Sequence, residues 1–561
     1  MSDHLPQNTF DPPGLLHRLG LRTNRGWPGV WSVGSALIAA LVLLPVVAVL
    51  WLAMTPSENV WPHLLATTLP RYVGNTVILM FGVGLLTACV GTGAAWIVSM
   101  YRFPGRGWLQ WALLLPLAVP AYVGAYALVD FLEYAGPLQT AMRQVFGWTN
   151  SQDYWFPQVR TRGAAILVLS AALYPYVYLL ARAAFREQSG AGYEVARALG
   201  VGPLGRFFRV GLPLARPAIA AGVAVAMMET VNDFGTVDYF AVQTLTTGIF
   251  SVWLQAGNLG GAAQIATCVL VLIVLLVTLE KINRRKIRFF STARGQRPVQ
   301  AYQLSGWRSV VAFVACFVPF AVGFVLPVSV LLSHAFDAQE WVRPGLARAL
   351  FHTLTVGSAA AILTVLAAVF MVYGVRMSGR RLPVLLLPVT AIGYAAPGAV
   401  LGLGILIPLA ALDNRVADAI FAMTGNDPGL LLTGTAFALV LAYFVRFFAI
   451  AQGTADAALG RVPPSLPMAA RSLGQTAGGT LRHVHAPLLR ASLGSALLLV
   501  FVDCVKELPA TLLLRPFNYD TLATRVHSKA SLENLAEAAP AALSITLVGL
   551  IAVAFLARAN R

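Results

Sequence analysis

Charge is scarce in this chain. Only 11% of its 561 residues are Asp, Glu, Lys or Arg, against about 25% in soluble domains. With 58% hydrophobic residues, a fold in water would expose broad apolar patches. A soluble globular domain is therefore excluded. Cysteine is scarce as well. Cys89, Cys268, Cys316 and Cys504 lie far apart in apolar stretches, which excludes a disulfide framework and any metal-ligand spacing. They read as small buried hydrophobes. The four lysines are Lys281, Lys286, Lys506 and Lys529, and none follows glycine. The phosphate-cradling pattern G-x-x-x-x-G-K-[ST] is thus absent. The eight histidines show no paired ligand spacing beyond His483 and His485. No Ser, His and acid set assembles into a nucleophilic site, and no enzyme activity is expected.

What is abundant is long apolar runs. A spanning helix needs about 20 apolar residues. Twelve candidates occur, at about 30–53, 73–100, 108–131, 163–184, 214–236, 262–281, 308–333, 351–375, 383–411, 430–452, 489–507 and 537–557. The predicted fold class is an all-α integral membrane protein of about twelve helices, with the lipid bilayer as its first partner. Residues 1–27 are polar, carry Arg18, Arg22 and Arg25, and lack the short apolar core of a cleaved signal peptide.

The net charge of +17 would suggest nucleic-acid binding if it lay on one soluble face. Instead, most Lys and Arg sit in short segments between apolar runs, in alternate loops. That is the positive-inside pattern, and it predicts both termini in the cytoplasm. No nucleic-acid partner is expected. Arg446 is the exception, inside a span. The densest basic cluster runs from Lys281 to Arg288 and opens a linker over 282–307, between a first half at 28–281 and a second at 308–561.

The halves repeat. A shift of 274 lays Ala196-Arg197-Ala198-Leu199-Gly200 on Ala470-Arg471-Ser472-Leu473-Gly474. It also lays Leu212-Pro213-Leu214-Ala215-Arg216 on Ala486-Pro487-Leu488-Leu489-Arg490. Nine of the 21 positions from 196 to 216 are identical. Six helices per half give both halves the same orientation. They should relate by an axis along the membrane normal and enclose a pathway between them.

Each repeated loop has a physical logic. Alanines and leucine favour a short helix, and Gly200 or Gly474 ends it in the left-handed conformation. A basic segment follows, and Pro213 or Pro487 is expected to start the next span, where a missing N–H is harmless. The product is a helix–turn–helix across the cytoplasmic mouth.

The pattern E-A-A, three residues, G, then a spaced L-P resembles the coupling loop of permease subunits of bacterial ATP-binding-cassette importers. Two loops at equivalent places carry the pattern with substitutions: Glu194-Val195-Ala196 with Gly200 and Leu212-Pro213, and Met468-Ala469-Ala470 with Gly474 and Ala486-Pro487. The resemblance implies the type I importer permease fold, with two homologous six-helix halves. It implies that Glu194, Ala196, Gly200 and Pro213, with Ala470, Gly474 and Pro487, engage a cytoplasmic ATPase dimer. ATP and Mg would then belong to that partner, with no cofactor in this chain. Met468 stands where the first loop has Glu194, so the two loops depart from equivalence.

A second repeated constellation follows each loop. Glu229 and Asp233 in the first half align with Asp503 and Glu507 in the second. Four-residue spacing predicts each pair on one helix face, roughly 24–30 Å from the cytoplasmic end at 1.5 Å per residue. Ionisable groups at membrane depth line aqueous paths or pair with each other. Two readings stay open: a pathway that attracts a cation, or carboxylates that cap helices and pair with Lys506 or Arg525.

The run from Lys506 to Arg525, with Asp233-Phe-Gly-Thr-Val, Thr247-Gly-Ile and Tyr174-Pro-Tyr-Val-Tyr-Leu-Leu-Ala-Arg182, resembles fused ferric-iron permeases, close relatives of thiamine permeases. The resemblance covers about 30–557. It implies a periplasmic binding protein that docks on the outer loops, around 132–162, 237–261, 334–350 and 508–536, and hands over ferric iron. Whether the permease itself ligates metal does not follow. A secondary transporter of the major-facilitator type also has two six-helix halves, but it would need no repeated cytoplasmic loop.

Overall fold

The computed structural model describes residues 29–285 and 301–559, apart from 57, 337, 379–380, 391–392, 394–395 and 464. The tail at 1–27 and the centre of the expected linker fall outside the described residues. Among those described, eleven helices are long and apolar enough to cross a membrane, or twelve if one bent pair is a single span.

The first half comprises α1 (Val30–Met54), α2 (Leu69–Met100), α3 (Ala121–Leu132), α4 (Arg162–Glu187), α5 (Gly190–Ala198), α6 (Leu212–Asn232) and α7 (Leu259–Arg285). The second comprises α8 (Trp307–Phe320), α9 (Leu346–Ser378), α10 (Gly398–Thr424), α11 (Ala436–Gly460), α12 (Ser465–Ser472), α13 (Ala486–Val505), α14 (Leu522–Ser531) and α15 (Leu535–Ala559). Two residues of parallel strand, β1 (Tyr101–Arg102) and β2 (Tyr302–Gln303), pair on the loop side of α2.

Each half is built on a three-helix core. In the first, α2, α4 and α6 pack together; in the second, α9, α11 and α13 do so. Small residues permit the approach, as is usual between helices in lipid. A Cβ on Gly222 of α6 would lie 2.8 Å from the Val177 Cα of α4, and one on Gly91 of α2 would lie 2.9 Å from the Tyr174 carbonyl.

The halves interleave. Helix α1 packs on α9 and α10 of the second half as well as on α7. Its Trp31 ring sits 4.7 Å from Phe370 and 5.3 Å from Tyr373. Helix α8 reaches back to the first half, with Phe320 5.9 Å from Trp108. Each leading span therefore covers the opposite half. The sequence repeat does not announce this exchange, because apolarity all round a helix does not say which neighbour it meets.

Two expected spans are not continuous. The span at 108–131 is broken: the segment Arg106–Ala118 meets Ala121–Phe146 at 96°. Pro116 and Pro120 flank the break. Each removes a backbone donor, and Pro120 drives the residue before it out of the helical region: Val119 is extended at ψ 119°. The span at 383–411 breaks likewise, into Arg381–Thr390 and α10, with Pro397 as the N-cap of α10.

The expected span starts at Pro213 and Pro487 also need correction. The helices begin earlier, as Pro203–Asn232 and Gly478–Val505. Each contains a π turn, Phe207–Gly211 and Leu481–His485, at the 274 spacing. The proline has no N–H to give its i−4 carbonyl. The residue before it, Leu212 or Ala486, instead bonds five residues back to Phe207 or Leu481. The proline thus re-registers a continuous helix rather than starting one.

Candidate functional site

The two repeated loops have the same backbone. Helix α5 ends at Gly200, φ 78°, and α12 ends at Gly474, φ 83°. Gly200 N–H donates to the Arg197 carbonyl and Val201 N–H to the Ala196 carbonyl, both at 2.9 Å. Gly474 and Gln475 do the same to Arg471 and Ala470, both at 3.0 Å. This paired closure is the Schellman motif, and it needs a residue at ease with positive φ. Ala196 and Ala470 are buried against the body of the protein. Glu194 is exposed, as is Met468 in its place.

Both loops leave large apolar side chains uncovered. Leu199 is 77% exposed and its repeat partner Leu473 is 83% exposed. Val195, Leu204 and Phe208 are exposed on the first loop, and Leu466 and Met468 on the second. Exposed apolar groups beside arginines, at the loop ends of the spans, form a patch of the kind that partner proteins cover.

The anchoring beneath the loops differs. Under α5, Trp96 packs against Phe185, Tyr193 and Phe207 at 5.3, 5.9 and 5.1 Å. Burial pushes the Tyr193 phenol above its ordinary range, and its hydroxyl donates to Gln188 Oε1. At the repeat positions of the second half stand Phe370, Leu459, Pro467 and Leu481. There the buried His485 packs on Tyr373 at 5.4 Å instead.

The second constellation lies between the halves. A cavity of about 160 Å³ is lined by Glu229, Asp233, Asp503 and Glu507, with Asn232, Arg446 and Lys506. All four sequence-predicted carboxylates thus meet in one place. The expected helix-face arrangement is wrong, however. Helix α6 ends at Asn232 and α13 at Val505, so Asp233 and Glu507 stand beyond the helix ends.

Their role there is local. Asp233 accepts from Thr236 N–H at 3.0 Å and Val237 N–H at 3.1 Å. Glu507 accepts from Ala510 and Thr511 N–H, each at 3.0 Å, and from the Thr511 hydroxyl at 2.7 Å. Each carboxylate caps the short helix that follows, where unpaired N–H groups favour negative charge. The other two remain on their helices. Asp503 pairs with Lys506 at 3.0 Å.

Lys506 was foreseen as a partner. Arg446 was not, although its charge inside a span was the available signal. It comes from α11 and lies 3.4 Å from Glu507 Oε1. Arg525 does not join this group; it donates to the Pro344 carbonyl at 3.4 Å. Both cations lining the cavity come from the second half, at positions where the first half has Ala172 and Asn232. Asn232 Oδ1 and the Tyr122 hydroxyl are buried against the cavity without a hydrogen-bond partner. Among the described residues no three His, Cys, Asp or Glu side chains converge on a metal-holding geometry.

Residues 81–289 match the family described as binding-protein-dependent transport system inner membrane component. The chain is 25% identical over 486 residues to the Fe(3+)-transport system permease protein FbpB 2 of Haemophilus influenzae, covering 85% of this chain and 87% of that one. It is 27% identical to the sulfate transport system permease protein CysT of Salmonella typhimurium, over 48% of this chain and 97% of that one. It is also 27% identical to the molybdenum transport system permease protein ModB of Escherichia coli, over 34% of this chain and 85% of that one.

Proposed function

We propose, for a chain that belongs to the binding-protein-dependent transport inner membrane components, that both halves of one importer are fused here and that its cargo is ferric iron. A single copy would then supply both loops to two subunits of a cytoplasmic ATPase. The observation that carries this reading is the doubled loop: two short helices, two positive-φ glycines, two π turns and two prolines, all at the 274 spacing.

In this reading Glu194, Ala196, Gly200 and Pro213, with Ala470, Gly474 and Pro487, couple the membrane helices to the ATPase. Both loops and both termini face the cytoplasm, as the arginine distribution supports. A loaded periplasmic binding protein docks on the opposite face. ATP binding draws the ATPase subunits together and carries the loops with them. The continuous helices Pro203–Asn232 and Gly478–Val505 transmit that motion to their outer ends. Those ends carry the cavity carboxylates, so the docking surface and the cavity are joined by single rigid elements in each half.

The cavity supports a cationic cargo. Four carboxylates face two cationic side chains there, leaving a net negative lining. The relatives named for sulfate and molybdenum raise an oxyanion instead, which Arg446 and Lys506 would suit. Uptake by cells expressing this chain with its neighbouring ATPase and binding protein decides the matter. Labelled ferric ion should accumulate, while labelled sulfate, molybdate and thiamine should not. Accumulation of thiamine or an oxyanion without iron would overturn the cargo assignment.

A further inference from the structure

The described end of the linker between the halves packs against the first of the two repeated loops. Where it rejoins the described chain, β2 lies parallel to β1, with Tyr302 opposite Tyr101 and Gln303 opposite Arg102. Leu304 N–H donates to the Arg102 carbonyl at 2.9 Å. The Leu304 side chain joins the cluster of Trp96, Phe103 and Tyr193 beneath α5. The Tyr302 ring then meets two guanidinium groups. Arg197, on α5, has its Cζ 5.5 Å from the ring centroid, and Arg206, past the turn, has its Cζ 5.0 Å away. Arg206 Nε is buried without a hydrogen-bond partner, so the aromatic ring is a principal neighbour of that charge.

We propose that Tyr302 is a positioning residue, through which the inter-half linker braces the first docking helix. Its ring bridges the two limbs of the helix–turn–helix, one arginine on each. Cation–aromatic attraction needs only a π face near a guanidinium, so it holds orientation while tolerating small sliding. The backbone pairing of β1 and β2 fixes where the ring stands. The second loop differs at the residues that would receive such a brace: Arg471 repeats Arg197, but Thr480 replaces Arg206. The second loop therefore repeats one of the two arginines that the Tyr302 ring bridges. The inference rests on the coupling reading only for its consequence in transport; the brace itself stands on geometry.

The test uses the purified full chain in lipid nanodiscs, with its four cysteines replaced by alanine and a nitroxide label placed at Leu199→Cys or at the matched Leu473→Cys. Tyr302→Ala should mobilise the label at 199 and leave the label at 473 unchanged. Tyr302→Phe, which keeps the ring, should preserve the parent spectrum. Two lost cation–aromatic contacts correspond to roughly a five- to thirtyfold fall in the braced-to-released ratio. An unchanged label at 199 in Tyr302→Ala would overturn the brace. Equal mobilisation at 473 would also overturn it, as would mobilisation by Tyr302→Phe. Binding-protein-stimulated ATP hydrolysis by the assembled complex is the second readout. If the label at 199 is released and stimulation is untouched, the brace stands and the coupling role assigned to α5 falls.

Discussion

Arg446 Nη1 lies 3.4 Å from Glu507 Oε1, joining the middle of α11 to the turn that ends α13. The Glu507 side chain is 1% exposed and that of Arg446 14% exposed. Gly398 at the start of α10 packs directly on this pair, and a Cβ there would collide with both partners. Removing one partner of a buried ion pair costs about 3–5 kcal/mol, because the other charge is left uncompensated. Arg446→Met should therefore destabilise the chain strongly. Glu507→Gln should do so too, because it leaves the Arg446 charge uncompensated even though the amide oxygen can still accept from Ala510 or Thr511. Thermal unfolding of both variants and of their combination would measure the coupling. Equal small losses in all three would show that the pair contributes little.

The loop glycines make a different prediction. A Cβ at Gly200 or Gly474 meets nothing within 4 Å, so any penalty is conformational. A non-glycine residue in the left-handed region costs roughly 1–2 kcal/mol, and Asn bears it best. Gly200→Asn and Gly474→Asn should keep the loop and most transport. Gly200→Val and Gly474→Val should unwind the Schellman closure and lower ATP-coupled uptake while membrane insertion stays normal. Gly200→Asp or Gly474→Asp, which adds charge beside the exposed Leu199 or Leu473, should abolish uptake with insertion intact if the loops couple to an ATPase. Full uptake in both Asp variants would sink the coupling assignment.

How far the sequence revealed these features depends on the kind of signal. Apolar length located the long helices, because lipid imposes that length. The repeat located both loops, because a Schellman glycine and a proline-driven π turn are local chemistry written in adjacent residues. The broken third span of each half was also written locally, in Pro116, Pro120 and Pro397, but hydropathy alone averages over prolines. The exchange of α1 and α8 between halves, the Tyr302 brace and the Arg446–Glu507 pair were not legible. Each joins residues far apart in the chain, and no periodicity encodes such a pairing. The carboxylate spacing of four misled for a related reason. Helical spacing implies a shared face only while the helix continues, and Asp233-Phe-Gly and Glu507-Leu-Pro end it.

Close packing on glycine separates two superficially similar positions. Gly222 faces the Val177 backbone, whereas Gly93 of α2 has open space around it. Gly222→Leu should force α6 away from α4 and destabilise the first core by about 1–3 kcal/mol, the usual cost of overpacking. Gly93→Ala should be neutral or stabilising by up to about 1 kcal/mol, since alanine is the better helix former. Melting of both variants in one detergent gives the comparison. Similar behaviour of the two would contradict the packing assigned to α4 and α6.

His527 supplies a pH dependence. It lies on α14 between spans, with Nδ1 2.8 Å from the Tyr126 hydroxyl and Nε2 4.0 Å from Asp238 Oδ2. Burial pushes its imidazole down from 6.5 to about 4, and the Arg515 guanidinium adds to this. The folded state therefore holds the ring neutral. Its contribution is complete above pH 6.5 and is lost as pH falls from there toward 4. The linked loss is at most ~3 kcal/mol. Melting temperature should drop between pH 7 and pH 4.5, and His527→Gln should flatten that slope. An unchanged slope in the variant would mean that the acid sensitivity has another source.

The cavity carboxylates can be separated by role, which a simultaneous neutralisation would not achieve. Asp233 and Glu507 cap short helices, so Asp233→Ala and Glu507→Ala should lower stability, by about 0.5–2 kcal/mol for the lost cap alone and by more at Glu507, which also faces Arg446. Any fall in uptake by those two variants is then ambiguous. Glu229 and Asp503 sit within α6 and α13 and line the same cavity. If that cavity passes a cation between the halves, Glu229→Gln and Asp503→Asn should reduce the uptake rate severalfold while the melting temperature stays near that of the parent. The Asp503 variant also releases Lys506 from its 3.0 Å partner, which turns the lining more positive and should deepen the loss. Adding Lys506→Gln to Asp503→Asn should then restore part of the rate. Normal uptake in both single variants, with capping losses in the other two, would reduce the whole constellation to a structural turn at the ends of α6 and α13.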